Sequence, residues 1–524
     1  MRIAIVVLVA SCSVTTDVPT RPDPLAALPL PAPVETERFR DAEACGQCHL
    51  VKDDTSVLHD QSGANVSPVL LWRSSMMANA ARDPYYLAVF SEELARAPSQ
   101  RAEIEALCTR CHAPAGHEEL AQVGQHLTFE ELTSGTSPAA LLGRGGVTCS
   151  LCHQIAASNL GDETSFTGKF AVGYQRKIFG PYSNPLTNPM MLIVDYEPTY
   201  GAHIGSSGLC ATCHTVIVPT PSGELVEQAT FLEWRASSIA ATKSCQSCHV
   251  SPTDEQGRAI STVVASFPDT LGTRTPVGRH EFVGGNSYML SLLGDAAEWS
   301  GAGIPASEFM ASAARDDAHL ATAARVSVRD MRREGDTIVA TVRVENLTGH
   351  KLPTGYPSRR VWLHVTASAG GSVVWESGAV DAMPAVQPHY DAINNATEVQ
   401  IYEATLVDLG GNPTHRALDA RRYSKDNRIL PPGYNPSGSD RTRTAPLGAS
   451  GDASFVGGMD DVTYRIAAPA GASLEVELLY QALRPETVDA VEAAATPAGT
   501  RFVDLVRARP ISAVTIATST VTAP

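Results

Sequence analysis

From about residue 321 onward, apolar residues recur at every second position in short runs. Val326 and Val328 alternate with polar neighbours. Ile338, Ala340, Val342 and Val344 do so after the Gly335-Asp336 turn. Val361, Leu363 and Val365 repeat the pattern, as do Leu474, Val476, Leu478 and Tyr480. A period of two, in short runs separated by turn residues, predicts an antiparallel β-sandwich. His364 falls on the opposite side from Val361, Leu363 and Val365, as expected of a surface or structural residue. Residues 408–460 are rich in Gly, Pro, Asn and Asp and predict long loops.

The first half of the chain lacks this alternation. Pro68 opens a predicted helical run, Val69 to Arg82, that contains Trp72, Met76 and Met77. Asp83-Pro84 reads as an N-cap with proline at the first helical position. Arg101 to Leu107 is a further predicted helix, and Gly and Pro separate these short pieces. Residues 13–40 carry Pro19, Pro22, Pro24, Pro29, Pro31 and Pro33, a composition that predicts an extended tether. The predicted fold class is α+β: a mostly α or irregular domain over 41–320, then an antiparallel β-sandwich-like domain over 321–524. A chain of 524 residues is too long for one ordinary core, which agrees with two bodies.

Residues 1–12 combine one positive residue, a short apolar run and small residues, and predict an export signal. The run is too short to span a membrane as a helix. Val9-Ala10-Ser11-Cys12 resembles the lipobox of bacterial lipoproteins, which implies a lipid on Cys12 and a periplasmic, outer-membrane or cell-surface location. The formal charge of −16 argues against nucleic-acid binding and suits a basic redox partner better.

Ten of the eleven cysteines lie in five copies of C-x-x-C-H. These are Cys45/Cys48/His49, Cys108/Cys111/His112, Cys149/Cys152/His153, Cys210/Cys213/His214 and Cys245/Cys248/His249. C-x-x-C-H is the attachment signature of c-type haem, with the thiols on the macrocycle and the His on the proximal side of the iron. Zinc sites do not require a His after every second Cys. Redox dithiols normally occur once per domain. The expected cofactors are therefore five covalently bound haems c. Motif spacing is irregular, so the region is not a tandem repeat.

Sixth ligands must come from elsewhere. His203 stands seven residues before Cys210, flanked by small residues. His280 follows the last motif in a Gly-rich stretch, and His350 sits in a Gly/Pro-shaped loop between two predicted strands. These three are the candidate distal imidazoles, with His350 reaching across the domain interface. Met76 or Met77 is a candidate thioether ligand, with Met190 or Met191 a weaker one. Arg359 and Arg360 either pair with propionates or form a solvated pair. His319, His389 and His415 carry no deciding context.

The stretches Trp72–Ala80, Gly145–Cys149, Glu227–Trp234, Gly349–Gly355 and Tyr423–Arg428 resemble bacterial multihaem cytochromes c related to the tetrahaem electron carrier of ammonia oxidisers. The resemblance covers most of residues 41–435 and implies closely packed haems, export and electron transfer. In related carriers a His often follows the Trp-x-x-Ser element. Here Met76 and Met77 stand there, which favours a His/Met iron.

Electron transfer between redox partners is the leading expectation, with the β domain clamping the haem body. The alternative is catalysis on a small nitrogen or sulfur compound at one open iron, with Lys169, Tyr174 or Lys177 as pocket candidates. A third reading makes the β domain a binding module, but no aromatic stripe or charge cluster marks a surface for it.

Overall fold

The computed structural model describes residues 21–51, 56–220, 223–268, 270–383 and 386–524. Within the first body each C-x-x-C-H closes a helix: Ala42–His49, Arg101–His112, Cys149–Cys152, Ser207–His214 and Gln246–His249. The side chains of Asp41, Thr148 and Ser206 accept from the amides of Ala44, Leu151 and Gly208, fixing where three of these helices begin. A three-residue spacing puts both thiols of a motif on one helix face, a turn apart. The His then falls at the C-terminal end, beside the next stretch of irregular chain.

The helix Pro84–Arg96 begins as predicted, with Asp83 accepting from the Tyr85 amide. The run before it is helical only over Pro68–Arg73 and continues as turns. Ser75 Oγ accepts from the Ala78 amide, and Asn79 Nδ2 donates to the carbonyls of Arg73 and Ser75. These side chains offer the backbone an alternative to the helix ladder. Two small ribbons complete this body: β1 (Lys177–Gly180) lies parallel to β2 (Glu197–Tyr200), and β3 (Val216–Thr220) antiparallel to β4 (Gly223–Gln228).

The second body is a sandwich. One sheet contains β5 (Ala324–Glu334), β6 (Thr337–Asn346), β13 (Met459–Ala467) and β9 (Ala392–Ile393), in that order. The other runs β11 (Pro413–Thr414), β10 (Ile401–Val407), β7 (Arg360–Ala369), β14 (Ser473–Gln481), β15 (Val514–Thr522), with β12 (Arg422–Asp426) on β10 and β8 (Ser372–Ser377) on β7. Pairing is antiparallel except for β9, which runs parallel to β13. The alternating residues meet face to face: Ile338, Ala340, Val342 and Val344 of β6 share one core with Val361, Leu363 and Val365 of β7 and Leu474, Val476 and Leu478 of β14. His364 points away from that core, between Glu376 and Glu477 at 2.9 Å each.

Two boundaries differ from the sequence expectation. Residues 485–508 are not strand and loop but the helices Pro485–Ala493 and Pro497–Ala508, which return to the first body. Val488, Val491, Phe502, Val503 and Val506 pack there with Ala88, Tyr288 and Leu292, because their helical period builds an apolar face that the sandwich does not cover. The proline-rich segment is likewise not a free tether over its described part, 21–40. Leu28 and Val34 are buried, and the chain is pinned by Leu25 N–H to Pro497 O, Leu28 N–H to Trp299 O and Arg82 Nη1 to Pro29 O. Residues 1–20, including Cys12 and the start of that segment, lie outside the described residues.

Candidate functional site

A cavity of about 1380 Å³ lies between and within the bodies. Small-molecule sites usually occupy about 300–1,000 Å³, so this space suits something larger than one ordinary ligand. Its wall is largely apolar, with Val69, Trp72, Val89, Phe90, Leu209 and Phe231 among the lining residues. All ten motif cysteines and all five motif histidines line it. The ten cysteines are free thiols.

Four of the five motif imidazoles are held in one manner. Nδ1 pairs with a backbone carbonyl in His49 (Val264 O, 2.8 Å), His112 (Ala80 O, 3.2 Å), His153 (Phe179 O, 2.7 Å) and His249 (Val283 O, 2.6 Å). Their Nε2 atoms have no hydrogen-bond partner among the described residues. An imidazole that binds metal through one nitrogen characteristically donates its other N–H to a carbonyl or carboxylate. Burial also lowers the pKa of all five motif histidines, to about 4 for His112 and His214, and so keeps the neutral form that ligates.

Of the three candidate distal imidazoles, the structure brings two to the cavity. His280 and His350 line it, with Nδ1 on Gly278 O (3.0 Å) and Lys351 O (2.9 Å) and Nε2 without a partner among the described residues. His280 stands 6.2 Å from His153 between ring centres with planes 23° apart, and His350 stands 6.3 Å from His249 at 16°. Two imidazoles that share one metal through Nε2 stand roughly 6 Å apart, since each metal–nitrogen bond is about 2 Å and each ring centre lies about 1 Å beyond its nitrogen. This spacing is not found at His49, His112 or His214 among the described residues. His203 is not brought to the cavity. Its Nε2 is taken by Ile155 O at 2.8 Å, and its ring packs edge-on against Phe179.

Met76 and Met77 both line the cavity, as does Met190, while Met191 is exposed. Arg359 lines the cavity and donates to Thr354 O and Asn286 Oδ1, whereas Arg360 is buried in β7 against Gln481 and Trp362. Neither is a solvated residue at a strand start. Lys169, Tyr174 and Lys177 are not among the lining residues.

Other lining residues carry no motif and escaped the sequence reading. His319, at the end of the helix Ala306–Leu320, has its ring centre 5.3 Å from that of His249. Glu227 faces the cavity with its carboxyl pushed up to about 7 by burial and then by the charge of Glu93. The phenol oxygens of Tyr85 and Tyr86 are buried without a partner, and Tyr86 stacks on His112 at 3.9 Å. The one sequence clue was position: Tyr85 and Tyr86 follow the Asp83-Pro84 helix start, and Glu227 opens one of the family-like stretches.

No family model matches the chain. No curated protein matches it either. Among solved structures, a penta-heme cytochrome c552 from Thermochromatium tepidum is similar, with a TM-score of 0.54 over 93% of this chain and 99% of that chain, at 18% identity. The likeness is one of fold, shared with that penta-heme cytochrome.

Proposed function

We propose that this chain is an exported pentahaem c-type cytochrome that carries electrons between redox partner proteins. The observation that carries the reading is the convergence of ten free thiols and the five motif imidazoles on one apolar cavity. Each motif presents two thiols on one helix face for thioether attachment and one oriented imidazole for the proximal position. Haem iron, when bound, supplies one-electron redox chemistry. The chain's own work is to hold and orient. Backbone carbonyls set the tautomer of His49, His112, His153 and His249, apolar side chains exclude water, and Arg359 with the unpartnered Tyr85 and Tyr86 hydroxyls offers donors for propionate carboxylates. The spacings support His153 with His280, and His249 with His350, as pairs that would each hold one iron. Met76 or Met77 remains the proposed thioether ligand. A lipid on Cys12, holding the protein at a membrane surface, belongs to this proposal and is tested by labelling with a fatty-acid probe and its loss in Cys12→Ala. No helix among the described residues is long and apolar enough to cross a membrane.

The test is a pyridine hemochrome assay on the exported protein. Five haems per chain, retained after acid–acetone extraction, are expected from the five motifs. Extractable haem, or bound zinc in its place, would reject the reading.

One observation favours catalysis as a second reading. In the cavity wall Tyr86 stacks on His112, the Glu227 carboxyl is poised to exchange a proton near neutral pH, and no second imidazole stands about 6 Å from His112 among the described residues. A ferric high-spin signal that shifts on adding hydroxylamine or sulfite would favour this reading, and its absence would favour the carrier.

A further inference from the structure

The loop that carries His350 is fixed by charges buried at the junction of the two bodies. Lys351 and Glu233 are fully buried, and Asp426 and Arg428 nearly so. Lys351 Nζ donates to Asp426 Oδ2 at 2.7 Å. Arg428 donates to the same carboxylate from Nε and Nη2, each at 2.8 Å. Its third nitrogen, Nη1, lies 3.0 Å from Glu233 Oε1. Two cations and two anions therefore neutralise one another with little solvent contact, an arrangement in which every charge depends on its partners.

Glu233 belongs to the first body, on the helix Thr230–Arg235 between the fourth and fifth motifs. Its other oxygen, Oε2, accepts from the Lys351 amide at 3.2 Å and from Thr354 Oγ1 at 2.5 Å. The carboxylate thus grips the loop on the C-terminal side of His350. On the N-terminal side Asn346 Nδ2 donates to His350 O (2.8 Å) and to Ile429 O (3.0 Å). Leu352 and Ile429 exchange both backbone hydrogen bonds. Gly349 lies so close to the same helix that an added Cβ would sit 3.1 Å from Trp234 Cδ1.

We infer that Glu233, Lys351, Asp426 and Arg428 form a positioning device by which the sandwich delivers His350 to the fifth motif, with Glu233 as the link that ties ligand placement to the first body. This rests on the reading of His350 as an axial ligand. A loop held only by its own turns would place the imidazole within a wide range. Holding Nδ1 on Lys351 O while the next residue is locked on both its amide and its ammonium restricts ring and backbone together.

The experiment uses the full haem-loaded chain and reads ferric spin state by electron paramagnetic resonance, with added imidazole as the rescue. His350→Gly is expected to convert one low-spin signal to high-spin, and imidazole to restore it. If His350→Gly changes nothing, the ligand reading itself fails. Glu233→Gln is expected to produce the same conversion in part, again reversed by imidazole, at unchanged haem count. A purely structural role would change the melting temperature without an imidazole-reversible signal. If His350→Gly loses the signal while Glu233→Gln keeps every spin state, the positioning device is refuted and the ligand survives. Should Glu233→Gln not accumulate, Thr354→Val, which removes only one hydroxyl from the Glu233 carboxylate, decides by the same readout.

Discussion

His280 and His203 sit in comparable Gly-flanked stretches, yet only His280 lines the cavity, and the two spend different ring nitrogens on backbone carbonyls. His280 spends Nδ1 on Gly278 O and keeps Nε2 free, while His203 spends Nε2 on Ile155 O. Replacing His280 by Ala is expected to remove one low-spin signal, and replacing His203 by Ala to leave all of them. Equal effects would contradict the assignment. His389 shows the same logic in the sandwich. Together with Asp452 and Asp460 it forms a cluster of metal-ligand type. Its Nδ1, however, accepts from Gln400 and Asn427, so the proton sits on Nε2 and is donated to Asp452. That tautomer leaves no nitrogen for a metal. Asp460 beside it is pushed up to about 7, first by burial. Its folded pKa lies above the ordinary carboxylate value, so the native state holds an extra proton between about pH 4 and pH 7, and stability falls as pH rises through that window. Asp460→Asn is expected to lessen the fall by a few kcal/mol. Denaturant titrations of both proteins at pH 5 and pH 8 check it, and an identical pH dependence would contradict it.

At the scale of elements, the period-two runs of β6, β7 and β14 were readable because a sandwich strand buries alternate residues against one partner face. The motif helices were readable through their chemistry. What escaped the sequence was long-range. Residues 485–508 carry an apolar helical face, but nothing local says that its partner is the helix Pro84–Arg96, some 400 positions earlier. His319 and Glu233 likewise acquire meaning only through neighbours far along the chain, as does the imidazole spacing that separates His280 from His203. The proline-rich segment read as free because its composition lacks a core of its own, yet it borrows one. Buried Arg82 joins that strap to its neighbours by donating to the carbonyls of Pro29, Arg144 and Ser300. Arg82→Met strands these three acceptors, at a cost of about 1–3 kcal/mol for a buried group left unpaired. Limited proteolysis is expected to cut within residues 21–40 faster in this variant than in the parent, and equal rates would show that the strap is held by other contacts.

Over the whole molecule, two bodies with different sequence grammars close on one space. The first supplies every motif thiol and motif imidazole together with Glu233, and the second supplies His350 with Lys351, Asp426 and Arg428. A chain ending at residue 320 would therefore lack His350, the proposed ligand, and the helices that cover Pro84–Arg96. It is expected to lose a low-spin signal and thermal stability together. The central claim is that the five motifs each hold a covalent haem, and denaturing mass spectrometry of the exported full-length protein tests it most directly. The expected mass exceeds that of the polypeptide by five haems, with no motif cysteine left to react with an alkylating reagent. A mass without haem and with all ten motif thiols alkylated would contradict the account.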